Sequence, residues 1–253
     1  MNFPNKIALL PALLLLTACY EKTDQTLSPP ENARRVTVAV KVPEGITLLP
    51  MQVLYRSERC KSKGYNSSNE AYEIRGFNGF KQAFPAQGNS DIRQQNIAID
   101  GGGPCQWQLN SLKVSFKIAD DNPLVKGKKV FATNYIFDFD DYGFSDGYGT
   151  GKAKEANGNL GVSTDFFPMV THLDDDDTSL EFFGGDTGYE QWSRRYKLIN
   201  SQNIFIKPIV HLARVVSLTP PTISNDFTAT YPDGSSEKIS RLEPDYEKLL
   251  SMK

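Results

Sequence analysis

Alternation with a period of two is the feature that most constrains this chain. Val36, Val38, Val40 and Val42 alternate with Thr37, Ala39 and Lys41, so one face of an extended segment is apolar. After the turn Pro43-Glu44-Gly45, Met51, Val53 and Tyr55 alternate with Gln52, Leu54 and Arg56 on a second strand that runs to Cys60. Residues 61–69, KSKGYNSSN, read as a loop. Residues 92–100 and 105–118 read as two strands joined by Gly101-Gly102-Gly103-Pro104. In the second, the apolar phase runs Cys105, Trp107, Leu109 and restarts at Leu112, Val114, Phe116, Ile118. That one-residue slip at Asn110-Ser111 predicts a β-bulge. Further strands are expected at 130–139, with Phe131, Tyr135, Phe137 and Phe139 on one face, and at 196–199, 203–216 and 227–231. Tyr231-Pro232-Asp233-Gly234 is a turn signature. Only 243–252, with Asp245, Tyr246, Leu249 and Leu250, has helical spacing. Short strands with Gly/Pro turns and one short C-terminal helix predict an all-β fold, a β-sandwich. Residues 123–129 are a candidate boundary between two β-rich halves of a domain spanning 34–253.

The N-terminus belongs to a different class. Residues 1–18 carry one cation, Lys6, then an apolar run from Ile7 to Ala18 interrupted by Pro11 and Thr17. That run is shorter than the ~20 residues a spanning helix needs, so it reads as an export signal. Leu16-Thr17-Ala18-Cys19 resembles the lipobox of bacterial lipoproteins. The resemblance implies cleavage before Cys19 and acylation of its thiol and amino group. The alternative is an ordinary signal peptide followed by a chance cysteine. By the same resemblance, the absence of Asp at Tyr20 implies sorting to the outer membrane, facing the periplasm. Residues 19–33 are polar, contain Pro29-Pro30, and read as a tether between lipid and domain, at most ~50 Å long and relaxed nearer ~20 Å.

Cysteine use fits an oxidising compartment. With Cys19 committed to lipid, Cys60 and Cys105 remain as an even pair and read as a disulfide. Closing that loop would stabilise the fold by ~4 kcal/mol in the chain-entropy model. Two separate thiols are the alternative. With 28 Lys or Arg against 30 Asp or Glu, the chain has no basic footprint for nucleic acid. Removing residues 1–18 takes away only Lys6 and leaves a formal charge of −3. Hydrophobic content of 39% suffices for a packed core.

Several motifs brush against chemistry. Gly143-Phe144-Ser145-Asp146-Gly147 fits the G-x-S-x-G elbow of a serine esterase, with His172 and His211 downstream. The elbow requires a helix next, and the glycine-rich residues 148–161 cannot form one. GYGTGK at 147–152 lacks the first glycine and final hydroxyl of a phosphate loop, having Asp146 and Ala153 there. Asp138, Asp140, Asp141 and Asp146 cluster, and Asp174, Asp175, Asp176 and Asp177 form a run, but neither has EF-hand spacing. A solvated acidic surface and a calcium site both stay open. Two histidines and no Cys-x-x-Cys argue against a zinc site. No motif points to a cofactor. The charge asymmetry is clearer: residues 138–190 hold 13 acids and 2 lysines, while 51–95 hold 7 bases and 4 acids. Such a field steers association with a charged partner.

Leu49 through Cys60 (LPMQVLYRSERC), Gly101 through Trp107 (GGGPCQW) and Thr230 through Gly234 (TYPDG) occur here together. They resemble a family of small proteobacterial lipoproteins found beside type VI secretion lipase effectors. The resemblance spans most of 34–250 and implies an immunity protein, not an enzyme, whose partner is the cognate lipase toxin in the periplasm. The acidic segment 138–190 departs from it, and no family binding residues carry over. The expected toxin-facing surface is Asp174, Asp175, Asp176 and Asp177 flanked by Phe166, Phe167, Phe182 and Phe183, a charged rim around apolar anchors. The rival classes are a lipoprotein that binds a small ligand or cell-wall glycan, and an esterase acting through Ser145.

Overall fold

The computed structural model describes residues 23–142, 153–173, 177–185, 193–221 and 226–253. In chain order the strands are β1 (Arg35–Lys41), β2 (Ile46–Leu48), β3 (Met51–Tyr65), β4 (Ala71–Gln82), β5 (Ile92–Ala98) and β6 (Asp100–Gly102). They continue as β7 (Trp107–Ile118), β8 (Lys129–Val130), β9 (Thr133–Asp138), β10 (Lys154–Asn157), β11 (Leu160–His172) and β12 (Thr178–Phe183). The last are β13 (Ser193–Ile199), β14 (Asn203–Val210), β15 (Val216–Thr219), β16 (Phe227–Thr230) and β17 (Ser236–Ile239), followed by helix α1 (Tyr246–Ser251).

These strands make the expected all-β sandwich. One nine-stranded sheet runs β17-β16-β15-β11-β14-β1-β5, with β12 on β11 and β8 on β12. The other, eight-stranded, runs β10-β13-β9-β7-β3-β4, with β2 and β6 also on β7. Strands from both sides of 123–129 share both sheets, β7 with β9 and β1 with β14. Pro123–Val125 is a 3-10 turn capped by the Asn122 side chain, so the segment connects parts of one sandwich and is not a boundary.

The main core lies between the sheets. Val36, Val38 and Val40 of β1 and Ile204 and Ile206 of β14 pack with Val53, Phe116, Tyr135 and Phe137 from the other layer. Phe116 meets Phe166 edge-on at 5.2 Å between ring centroids. Two phenols tie the layers with hydrogen bonds: Tyr135 to Thr164 Oγ1 at 2.9 Å and Tyr55 to the Ala98 carbonyl at 2.6 Å. Burial pushes the Tyr55 hydroxyl up to about 12, so it stays a donor. A smaller core forms on the far face of the nine-stranded sheet. There Phe167, Met169, Phe183, Val216, Leu218 and Tyr231 are covered by Leu249 of α1. The helix begins where Asp245 accepts a hydrogen bond from the Lys248 N–H at 3.0 Å, an N-cap.

The bulge sits where the apolar phase slips. Leu54 pairs with Ser111 and Tyr55 with Leu109, which leaves Asn110 unmatched. Three expectations fail, for different reasons. Residues 61–65 are strand, because β3 continues past Cys60 and pairs with β4, absent from the sequence reading. Between the strands expected at 130–139 and 196–199, where the sequence predicts none, lies β11, which the nine-stranded sheet holds between β14 and β15, both parallel to it. Strands buried on both faces lose the alternation that announces a strand. Phe131 lies between β8 and β9 and is 41% exposed, whereas Tyr135 and Phe137 are fully buried.

Candidate functional site

The first built feature is the pole where β3, β4 and the loop before β7 meet. Cys60 and Cys105 are bonded, with Cα atoms 5.3 Å apart, as the compartment argument required. Ser57 Oγ braces the junction: it donates to the Cys105 carbonyl at 2.5 Å and accepts from the Cys60 N–H at 2.9 Å. Residues 24–28, expected to be a free tether, are docked here. Trp107 Nε1 donates to the Asp24 carbonyl at 3.2 Å, and Asn78 Nδ2 to the Gln25 carbonyl at 2.8 Å. The Ser28 N–H donates to the Gly101 carbonyl at 2.9 Å, and Leu27 packs against the main core.

The glycine triplet makes the docking feasible. Gly102 and Gly103 have φ of +58° and +72°, and a Cβ at either would lie 2.1 Å from the carbonyl oxygens of Ser28 and Thr26. Only glycine both adopts that backbone and leaves room for the passing strand. The sequence shows the triplet plainly, but not what presses against it.

The second feature is the β3–β4 hairpin. β7 pairs with β3 only from Gln52 to Arg56. Beyond that point the hairpin projects as an arm, with Ser62 opposite Ile74, Lys63 opposite Glu73, and Tyr65 opposite Ala71. Tyr65, Tyr72 and Ile74 on this arm are 63%, 51% and 38% exposed. Tyr72 and Ile74 share one face, leaning over Gly64, where a Cβ would come within 2.7 Å of each. Nearer the body, Phe77 is 54% exposed on the outer face of the sheet. The Arg56 guanidinium lies 5.2 Å above its ring, and Gln52, Gly79 and Lys81 surround a shallow hollow beside it. Arg75 reaches Glu58 of β3 and links this face to the acidic region through Asp140, each at 2.7 Å.

The apolar anchors expected for the acidic interface are not at the surface. Phe166, Phe167, Phe182 and Phe183 are all buried. Successive strand residues point to opposite faces, so Phe166 and Phe182 enter the main core while Phe167 and Phe183 enter the smaller one. None is free to anchor a partner. Asp177 is exposed just before β12, its carbonyl accepting from the Leu173 N–H at 2.8 Å. Asp174, Asp175 and Asp176 lie outside the described residues.

The described aspartates of the 138–146 cluster each meet a different cation. Asp138 pairs with Arg195 at 2.5 Å, both buried; Asp140 goes to Arg75, and Asp141 to Lys197 at 2.5 Å. Hydrogen bonding to Lys197 holds the Asp141 carboxyl below its usual range. Among the described residues no three His, Cys, Asp or Glu side chains converge on a metal position. Ser145, Asp146 and the segment 147–152 lie outside the described residues, as does Cys19. His172 is exposed at the end of β11.

His211 is built in. Its ring stacks on Phe167 at 4.8 Å, and its Nε2 lies 2.6 Å from Asp165 Oδ1. Burial raises the Asp165 carboxyl, but hydrogen bonds from His211 and Lys253 outweigh it, and the net shift is downward. Asp165 borders a cavity of ≈ 410 Å³ lined also by Lys154, Thr164, Arg194, Tyr196 and Tyr246. Arg194 is held there by the Phe166 ring, 4.8 Å away, and the Gly185 carbonyl at 2.5 Å.

No family model, curated protein or solved structure matches this chain.

Proposed function

We propose that this protein is a membrane-anchored periplasmic immunity protein that binds and occludes a secreted phospholipase toxin, acting by recognition rather than by chemistry. The observation that carries the reading is the outer edge of the eight-stranded sheet. Phe77 stands exposed there with Arg56 stacked on it, on the strand at the end of the sheet. Aromatic residues and arginine are both enriched at the cores of protein interfaces. A terminal strand offers backbone groups for a partner's strand. The scaffold behind it is a disulfide-braced sandwich, so recognition would cost little ordering entropy. The resemblance of the 49–60, 101–107 and 230–234 stretches supplies the class of partner, and a lipid on Cys19 would concentrate the inhibitor where a phospholipase works.

The expected partner is a secreted lipase encoded beside this gene. Expressed in the periplasm, it should kill cells that lack this protein and spare cells that have it. Phe77→Asp should abolish protection while leaving the melting temperature within a degree or two. Equal survival with and without the wild-type protein would rule out immunity. Retained protection by Phe77→Asp would move the interface elsewhere.

A second reading rests on the cavity beside Asp165. Its volume and its mixture of Tyr196, Tyr246 and Arg194 suit a small ligand or cell-wall glycan. Titration with muropeptides should then raise the melting temperature saturably.

A further inference from the structure

We propose that the distal part of the β3–β4 hairpin, the arm bearing Tyr65, Tyr72 and Ile74, is a membrane contact that rests in the headgroup region beside the lipid anchor. The inference rests on the lipidation of Cys19. Three observations lead to it.

The first is where the anchor emerges. Docking of residues 24–28 places Asp24 at the base of the arm: its carbonyl accepts from Trp107, next but one to Cys105, and Cys105 is bonded to Cys60 of β3. Gln25 is held by Asn78 of β4 itself. Only residues 20–23 remain between Cys19 and this fixed point, a reach of at most about 18 Å. The bilayer surface therefore lies close to the arm's base rather than a loose tether's length away.

The second is the arm's length. From Cys60 to Tyr65 it extends about 17 Å at strand rise, which matches that reach. A hairpin rooted near the bilayer and no shorter than the remaining chain can bring its tip to the interface.

The third is the arm's surface. A two-stranded ribbon in water is marginally stable, and one with exposed Tyr65, Tyr72 and Ile74 lacks a core of its own. Tyrosine is enriched at the headgroup level, where the ring is buried and the hydroxyl stays wet. Lys61 and Lys63 sit on the same segment, with Lys61 2.9 Å from Glu73, and long lysine stems reach water from such a position. The contact would fix the orientation of the sandwich relative to the bilayer. A lipid on a flexible leash would not do that.

The test uses the full-length acylated protein reconstituted in phosphatidylethanolamine–phosphatidylglycerol vesicles with brominated acyl chains. Tyr72→Trp places a reporter on the arm, and mass spectrometry of the same sample reads the acyl chains on Cys19. The expected result is at least threefold more bromolipid quenching for Tyr72→Trp than for the wild type. Acylated Cys19 with quenching no greater than wild type overturns the arm contact and leaves the anchor standing. Absence of acyl chains overturns the anchor and the contact together. Quenching that is absent in vesicles, with the reporter shielded only when the lipase is added, assigns the arm to the protein partner and overturns the membrane contact.

Discussion

The strand β11 and the β3–β4 arm carry similar residues and meet opposite fates. Both are rich in aromatic and aliphatic side chains set among charges. β11 contains Phe166-Phe167-Pro168-Met169-Val170, and each of these residues is buried, because one face is packed by the opposite sheet and the other by α1. The arm carries Tyr65, Tyr72 and Ile74, and both of its faces meet solvent. Local sequence predicts the reverse, a surface for the phenylalanines among acids and an inert loop at 61–69. The decisive terms are non-local. Besides its hairpin partner β12, β11 pairs with β14 and β15 at separations of 44 to 47 residues, whereas the distal arm has only its own hairpin partner. An apolar residue is an anchor for a partner only where the fold has not already used it.

The largest effect should break that contrast directly. Phe166→Ala removes a fully buried ring that touches Phe116, Tyr135 and Phe182. It should cost about 3–5 kcal/mol in urea unfolding. Tyr72→Ala on the arm should change stability by no more than about 0.5 kcal/mol. Comparable losses at the two sites would mean that the arm packs against the body in solution.

The next effect tests the pole. Gly102→Ala must accept a positive φ and a Cβ against the Ser28 carbonyl. It should cost about 1–3 kcal/mol, much of it by releasing the N-terminal segment. The readout is proteolysis: cleavage within residues 23–30 should accelerate tenfold or more over wild type while the sandwich stays intact. Unchanged cleavage would show that the segment is not held by the glycine cradle.

Much of the fold was legible because it is local. The valines of β1 mark a half-buried strand, and the phase slip at Asn110-Ser111 marks the bulge where Leu54 and Tyr55 change partners. The disulfide followed from an even pair of cysteines in an oxidising space. What stayed hidden depends on distant pairing. β4 has few apolar residues in phase, since Gly76 and Gly79 interrupt it, and its register comes from β3. The glycine triplet 101–103 was visible as a loop, yet its purpose is set by Thr26 and Ser28, more than seventy positions earlier. The candidate interface residue Phe77 carries no motif. Its exposure is decided by which face of β4 turns outward, and only the sheet order reveals that.

The smallest effect sharpens the comparison from the acidic side. If the segment 138–190 were merely a solvated acidic surface, each of its carboxyls would behave as in water. Glu181 does not. It sits on β12 opposite Met169, on the face that carries the smaller core, and burial pushes its carboxyl up to about 7. The unfolded chain holds the same group near 4.5. Below the unfolded value both states are protonated and nothing is lost. Between the two values the unfolded chain releases its proton while the folded protein keeps it, so stability falls as pH rises, levelling off above the folded value. Glu181→Gln removes that dependence without changing the side chain's shape. Wild type and variant should therefore unfold at the same urea concentration near pH 4, and the variant should gain about 1–3 kcal/mol by pH 8. Asp165, whose carboxyl is lowered through His211 and Lys253, adds a slope of opposite sign at acid pH, but it does so equally in both proteins and cancels in the difference. Parallel pH profiles for the two would place Glu181 in water, and the acidic segment would then be surface along β12 as well as at Asp177.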